Sequence, residues 1–414
     1  MKRRYWQITG LIFLLLIVGG CQSDAGEDEL EGRIALWHSW SPEEARVLQE
    51  ALTQFEEIHP NVKIITVAIP EDQILEEFYQ VGNDGLGPGL MIGNDSWISD
   101  LADSGLIRPF SHDQITTSFF NSRNRNLVQY QDKIYGVPMS LAPYALYYNK
   151  SMVTNPPVTL DDLLTEARAG NTVAFVPRFE EAYWGIQTFG NGLFDAVGHF
   201  TLAESGFTEW LHWLNNAQAE PGIILNVDDE SLLDLFASGQ IAYYVAGPDK
   251  QQRINALIDE ENPFEIGVVP LPQGPMGASG PLLNVETLLF YTHASENQAE
   301  IANDLALFLV TQQQSIRFLR ELDQIPANPT VRVDNRIYPV SNGFSRQART
   351  AVVLPNEIPI DPFVEAGNLA YNTVLSGLAS PEEAVCQFGL RVAELMAYTD
   401  DEMDLPENCP PPVK

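Results

Sequence analysis

The chain is poor in three residue classes. Its 414 residues include 3 cysteines, 6 histidines, and 23 Lys and Arg set against 56 Asp and Glu. So few cysteines exclude a small scaffold built on disulfides. The histidines are His38, His59, His112, His199, His212 and His293, and no two stand at ligand spacing with a cysteine or with each other. No metal site is therefore expected, and nothing in the pattern calls for a cofactor. A formal net charge of −33 repels phosphate, which excludes non-specific nucleic-acid binding. The acidic excess is spread along the chain rather than held in one block, so it belongs on the surface of a folded protein. Beyond the N-terminus no run is apolar enough to cross a membrane. What is abundant is apolar side chain, 45% of the total, a globular fraction in a chain long enough for two or three domains.

The N-terminus carries the most specific local signal. Lys2, Arg3 and Arg4 form a positive region, followed by an apolar run over residues 12–18 that is too short to span a bilayer. Val18-Gly19-Gly20-Cys21 then resembles a bacterial lipobox, in which cleavage leaves Cys21 at the new N-terminus for lipidation. Residues 1–20 read as a signal peptide, and residues 21–32, polar and acidic, as a lipidated tether. Loss of three positive charges with the signal takes the mature charge to about −36. The expected location is outside the cytoplasm, lipid-anchored at the cell membrane and facing the periplasm or the exterior. In such a compartment Cys386 and Cys409 suit a disulfide tying the C-terminal tail to the last helix; the alternative is one buried free thiol and one exposed.

Periodicity predicts alternating strands and helices. Residues 33–38 read as a strand. Ser41-Pro42-Glu43-Glu44 starts a helix, with Ser as N-cap, Pro at the first helical position and Glu at the third. Further strands are predicted at 62–69, 90–92, 134–138, 145–148, 173–176, 241–245, 266–268 and 288–291. Helices are predicted at 74–81, 95–104, 160–169, 207–219, 229–237, 297–310, 363–376 and 381–398. This order is that of an α/β protein. Breaks near 142, 275 and 330 either separate three domains or mark a chain crossing between two; the Pro- and Gly-rich stretch 270–281 is the strongest of them.

Pro138-Met139-Ser140, then Leu141 to Tyr144 and Ala145-Leu146-Tyr147-Tyr148-Asn149-Lys150, with Val153 and Asn155 beyond, resemble the extracellular solute-binding proteins of ABC importers, specifically the maltose-binding-protein-like sugar binders. Weaker matches are Trp37 after the first strand, Gly87-Pro88, Ser104-Gly105-Leu106, the stretch 236–242, Ala246-Gly247-Pro248 and Pro381-Glu382-Glu383-Ala384. The resemblance covers roughly residues 33–400. It implies a two-lobed periplasmic-binding-protein fold with discontinuous lobes: 33–141 with 272–325, and 142–271 with 339–400, followed by a C-terminal tail over 401–414. A sugar or sugar-like solute would lie in the central cleft, and the lobes would close on it by hinge motion. Its partners would be that ligand and the ABC permease subunits. A monomer without catalytic residues is expected.

Sugar recognition needs aromatic faces for the C–H surfaces of the ring, and carboxylates and amides for its hydroxyls. Trp37 and Trp40 follow the first strand, where they serve either the cleft or the core. Asp95 follows the 90–92 strand, where it serves either as a ligand contact, the role the resemblance implies, or as a helix cap. Glu181 and Tyr183 match the family's acidic-then-aromatic stretch in the second lobe. Two positions depart from the maltose-binding pattern. Asp249 stands where a tryptophan follows Gly-Pro, and Phe363 offers a smaller stack than the tryptophan expected there. The carboxylate at 249 equally suits a polyol, a small disaccharide or a compatible-solute glycoside. The competing readings are a peptide or polyamine binder of similar fold and a secreted glycoside hydrolase, for which Glu181 with Asp95 or Asp249 would supply the paired carboxylates.

Overall fold

A computed structural model describes residues 30–110, 119–195, 198–398, 405–406 and 409. The lipobox, the tether up to residue 29 and most of the tail lie outside the described residues. The chain builds two main sheets, and it passes between them more than once.

The first sheet has six strands: β1 (Gly32–His38), β2 (Val62–Ala68), β3 (Leu90–Asn94), β6 (Gly136–Pro143), β12 (Leu283–Phe290) and β13 (Ile325–Pro326). Their spatial order is β13-β6-β12-β3-β1-β2. β1 runs parallel to β2 and β3, whereas β12 is antiparallel to β3 and β6. The second sheet has five strands, β7 (Ala145–Asn149), β8 (Val173–Phe175), β9 (Ile223–Leu225), β10 (Tyr243–Ala246) and β11 (Ile266–Val269). Their order is β11-β7-β10-β8-β9. A small hairpin of β4 (Gln129–Tyr130) and β5 (Lys133–Ile134) stands apart.

β6 and β7 belong to different sheets and are separated by Tyr144 alone, so the first crossing is a single residue. The return runs from β11 to β12 through the Pro- and Gly-rich stretch. The helix Pro339–Gln347 sits at this junction. Its Gln347 side chain accepts from the Leu271 N–H at 2.6 Å and donates to the Ser279 carbonyl at 3.2 Å, which fixes the crossover against the helix.

Local sequence explains the helix starts. The helix Pro42–Ile58 opens with a reciprocal capping box between Ser41 and Glu44, and Leu160–Arg168, Glu296–Leu309 and Pro381–Met396 open on boxes from Thr159, Ser295 and Ser380. Each cap is worth about 1 kcal/mol. The helix predicted at 95–104 is instead a 3₁₀ turn, Asp95–Trp97, followed by a short α-helix, Ile98–Asp103. Helices Lys250–Leu257 and Gln312–Leu322 form where the periodicity predicts none.

The packing divides into two clusters. One fills the first sheet and its helices and reaches across to Tyr147, Phe236 and Tyr244 of the second lobe. The other lies on the far side of the second sheet, where Phe175, Trp184, Trp210, Phe363 and Phe388 are buried together. Cys386 and Cys409 are joined by a disulfide with their Cα atoms 5.3 Å apart, which pins the tail to the last helix.

Candidate functional site

The carboxyl ends of β1 and β3 face the start of the helix that follows β10, and the space between them is a cleft of about 680 Å³. That is the size of pocket that encloses a small molecule. The first sheet supplies one wall through Ser39, Asn94, Trp97 and Glu286. The second supplies the other through Pro248, Asp249 and Gln252, with Tyr144 at the crossing between the sheets.

Each side chain is held for a reason that can be traced. β3 is a buried run that ends at Asn94. The Asn94 side chain accepts from the Ser96 N–H at 2.9 Å and so starts the 3₁₀ turn. That turn folds the Trp97 ring back over Gly93, where a Cβ would lie only 2.6 Å from the indole. The lack of a side chain at Gly93 is what leaves room for the Trp97 ring at the cleft wall.

Glu286 lies at a bulge in β12, where the register against β6 shifts between Glu286 and Thr287. A bulge breaks the regular alternation locally; ahead of it, Asn284 and Glu286 share the face of the strand that reaches the cleft. One oxygen accepts from the Trp40 indole N–H, and the other from the Ser140 hydroxyl at 3.2 Å. Burial of the carboxyl group pushes its pKa up to about 7. The two hydrogen bonds oppose that shift, and the nearby Glu44 and Glu71 charges reinforce it.

Asp323 ends the helix Gln312–Leu322 in a left-handed conformation, with φ at 57°. It reaches the cleft, and it accepts from the Ser341 hydroxyl at 3.3 Å, which links the cleft to the helix at the junction. The pKa of the Tyr144 hydroxyl is raised, first by burial and then by the negative charges of Glu181 and Asp249.

The residues singled out in the sequence divide between the cleft, its supporting layer and the core. Asp249 lines the cleft. Trp40 is buried behind the wall, edge-on to Phe318 at a ring separation of 5.7 Å, and acts on the cleft only through its bond to Glu286. Trp37 is half-buried, edge-on to Phe78 at 6.4 Å, on the core side of β1. Asp95 does not face the cleft. Its carboxylate accepts from the Val285 N–H at 3.0 Å, tying the turn after β3 to the edge of β12. Burial pushes its pKa up to about 7 against those backbone hydrogen bonds. Glu181 pairs with Arg178, and its charge reaches the cleft only through Tyr144.

Tyr183 and Phe363 are corrections to the expectation. Both are fully buried in the core of the second lobe. Phe363 packs edge-on against Phe194 and Phe200 at 5.0 and 5.5 Å, and Tyr183 packs against Phe179 at 5.5 Å. An aromatic residue in a weak match reads the same whether it lines a cleft or fills a core, and the helix Asp361–Leu375 turns this one inward. Cleft residues outside the contacts expected from sequence include Trp97, Tyr144 and Glu286. For Glu286 the sequence pattern predicts no strand, since it starts this one only at 288; the available signal is one acid in the stretch LNVETLLF.

Among the described residues, no group of three or more His, Cys, Asp and Glu could hold a metal ion. No helix among them is long and apolar enough to cross a membrane.

Two sheets joined by several crossings around a shared cleft define a binding protein of the two-lobed periplasmic type. The chain belongs to the family described as bacterial extracellular solute-binding protein, whose profile matches residues 50–337. It is similar to the galactooligosaccharide-binding protein of Bacillus subtilis (strain 168), at 22% identity over 90% of this chain and 92% of that one. Among solved structures, it superposes on the maltose-binding periplasmic protein of Listeria monocytogenes in complex with maltose, with a TM-score of 0.78, 18% identity, and coverage of 89% of this chain and 99% of that one. It also superposes on a cyclo/maltodextrin-binding protein complexed with maltotetraose, with a TM-score of 0.76, 22% identity, and coverage of 89% and 98%. At these identities the structural likeness fixes the two-lobed fold.

Proposed function

We propose that this protein is the non-catalytic receptor of an ABC sugar importer, capturing a di- or oligosaccharide or a sugar-like solute between its lobes and delivering it to the permease. The observation that carries this reading is the composition of the cleft. The Trp97 and Tyr144 rings can cover apolar C–H faces, and Asn94, Asp249, Gln252 and Glu286 can bond hydroxyls around them. The names of the relatives support it: the Bacillus protein is a galactooligosaccharide binder, and the solved neighbours carry maltose and maltotetraose. The contacts proposed are Trp97, Tyr144, Asp249 and Glu286, with Trp40 positioning Glu286 and Glu181 acting on Tyr144. Lobe one is read as 33–141 with 272–325 and lobe two as 142–271 with 339–400; the division of the strands between two sheets supports this reading, with β6 running on to Pro143 and β13 to Pro326. Lipidation at Cys21, removal of residues 1–20, and a monomer held at the outer face of the cell membrane complete the reading.

The test is a thermal-shift screen of the mature protein against maltose, maltotriose, galactooligosaccharides and trehalose, followed by calorimetry of the best ligand. Binding to the native state alone raises the melting temperature. Asp249→Ala is expected to weaken that ligand by more than about 1 kcal/mol, through loss of a charged hydrogen-bond partner. No shift with any saccharide would remove the carbohydrate reading. Release of reducing sugar over time would favour a hydrolase.

A further inference from the structure

The two walls of the cleft carry opposite charges at its mouth, and in this structure those charges do not meet. Glu44 and Glu71 line the cavity from the first lobe, each in the opening turn of its helix, Pro42–Ile58 and Glu71–Asn83. Arg253 lines it from the second lobe, on the helix Lys250–Leu257. It stands one helical turn beyond Asp249, so the two share the face turned to the cavity. Glu71 and Arg253 are exposed although they line the cavity, which sets them at its rim.

Neither side holds a strong partner. Arg253 is paired with Glu230 on the helix Asp229–Ala237 of its own lobe, and both side chains are about half exposed. An ion pair that open to solvent shifts an equilibrium by no more than about fivefold, so it exchanges easily. One Glu44 oxygen accepts from the Ser41 N–H at 2.9 Å, which closes the capping box. Among the described residues no ion pair crosses the cleft, and none includes Glu44 or Glu71. Lys250, the other cation near this wall, is held by Asp229 at 3.0 Å and by Asp249 at 3.4 Å. Closure of the lobes brings Asp249 toward Glu44, Glu71 and Glu286, and like charges repel as they approach. Arg253, the one cation among the described lining residues, travels with Asp249 on the same helix.

We infer that Arg253 is the clasp of the cleft: on closure it leaves Glu230 and pairs with Glu71 across the mouth, so that the protein itself supplies part of the free energy that holds an uncharged ligand. This rests on the reading of the protein as a receptor that closes on a saccharide. Arg253 is a positioning residue, since it meets the opposite lobe rather than the ligand. The pair forms only after the ligand has entered, so it slows release and leaves entry unchanged. It is exposed, so salt weakens it. The affinity for a neutral sugar therefore depends on salt, which contacts between the protein and an uncharged ligand alone would not produce.

The experiment is calorimetric and stopped-flow titration of the mature protein with maltotriose, galactotriose and trehalose, at about 20 mM and about 500 mM salt. The parent should bind about threefold more weakly at high salt. Arg253→Gln should bind about three- to fivefold more weakly at low salt, through faster release. Its affinity should then rise with salt, because only repulsion between the acidic walls is left to screen. Glu230→Gln, outside the cleft, should tighten binding about twofold by removing the resting partner of Arg253, and this gain should vanish in the Arg253→Gln background. Arg253→Glu should weaken binding about tenfold, and Glu71→Lys in the same chain should restore most of that loss. If a substitution at 253 impairs folding, the parent's salt dependence and the Glu230→Gln variant still decide the matter. Saccharide binding indifferent to salt and to Glu230, or a loss in Arg253→Gln that persists at high salt, would overturn the clasp and leave the receptor reading standing. Binding of none of the three sugars would overturn both.

Discussion

Asp95 gives the sharpest test of the energetics. Its carboxyl group lies inside the protein, where it accepts from the Val285 N–H and from the backbone of its own turn, and no cation among the described residues contributes to its ionisation. Two effects oppose one another. The backbone donors favour the ionised form, and loss of hydration favours the neutral one. Burial wins, and the pKa rises from 3.8 to about 7. A group whose folded pKa is raised contributes its full stability below the unfolded pKa and loses it as pH climbs through the folded value. The window therefore runs from about pH 4 to about pH 7, and the loss across it is on the order of 4 kcal/mol. Asp95→Asn keeps one acceptor for Val285 and removes the titration. The difference in unfolding free energy between variant and parent, measured by urea denaturation at half-unit steps from pH 4 to pH 8, should be near zero or slightly unfavourable at pH 4. It should move in favour of the asparagine as pH rises, with a relative melting-temperature gain on the order of 5 °C at pH 8. Glu286 titrates in the same range but is common to both proteins, so it cancels in the difference. A difference that does not change with pH would refute the reasoning. One that moves against the asparagine as pH rises would show that the backbone hydrogen bonds outweigh burial.

Phe363→Ala should cost about 3–5 kcal/mol of stability, as for a large ring removed from a packed core, and should leave ligand affinity unchanged in protein that remains folded; a selective loss of affinity would return Phe363 to the cleft. Gly93→Ala forces the Trp97 ring to move, because its Cβ would sit 2.6 Å from the indole, so ligand affinity should fall by about tenfold with a smaller effect on stability, read by calorimetry and denaturation in parallel. Reduction of the Cys386–Cys409 bond, which spans 23 residues, should lower stability by about 3 kcal/mol in the chain-entropy account, measured as the shift in denaturation midpoint with and without reductant.

The helix boundaries with strong local chemistry are readable from the chain alone. Ser41, Pro42 and Glu44 determine the start of the first long helix whatever surrounds it, because a capping box closes within four residues. The apolar 90–92 run and the segment 145–148 are likewise legible as strands, since burial there needs only the local pattern. The 95–104 stretch reads as one helix and is not: the Asn94 side chain caps a 3₁₀ turn there, and Asp95 ties that turn to β12, about 190 residues away. The breaks near 142 and 275 show as crossings only through the strands on either side, which belong to different sheets; the break near 330 follows the last strand, and helices alone come after it among the described residues.

For the site, what is already written in the chain is a lipobox-like start, a scarcity of cations and the 138–155 signature. These point to an exported carrier without reference to any contact. The tertiary structure decided which side chains face the ligand. Aromatic and acidic side chains serve cores, caps and clefts alike, and what separates Trp97 from Phe363, or Glu286 from Asp95, is the orientation of one turn and of one strand face. Those orientations depend on strand pairings between distant parts of the sequence, which no local window of residues contains.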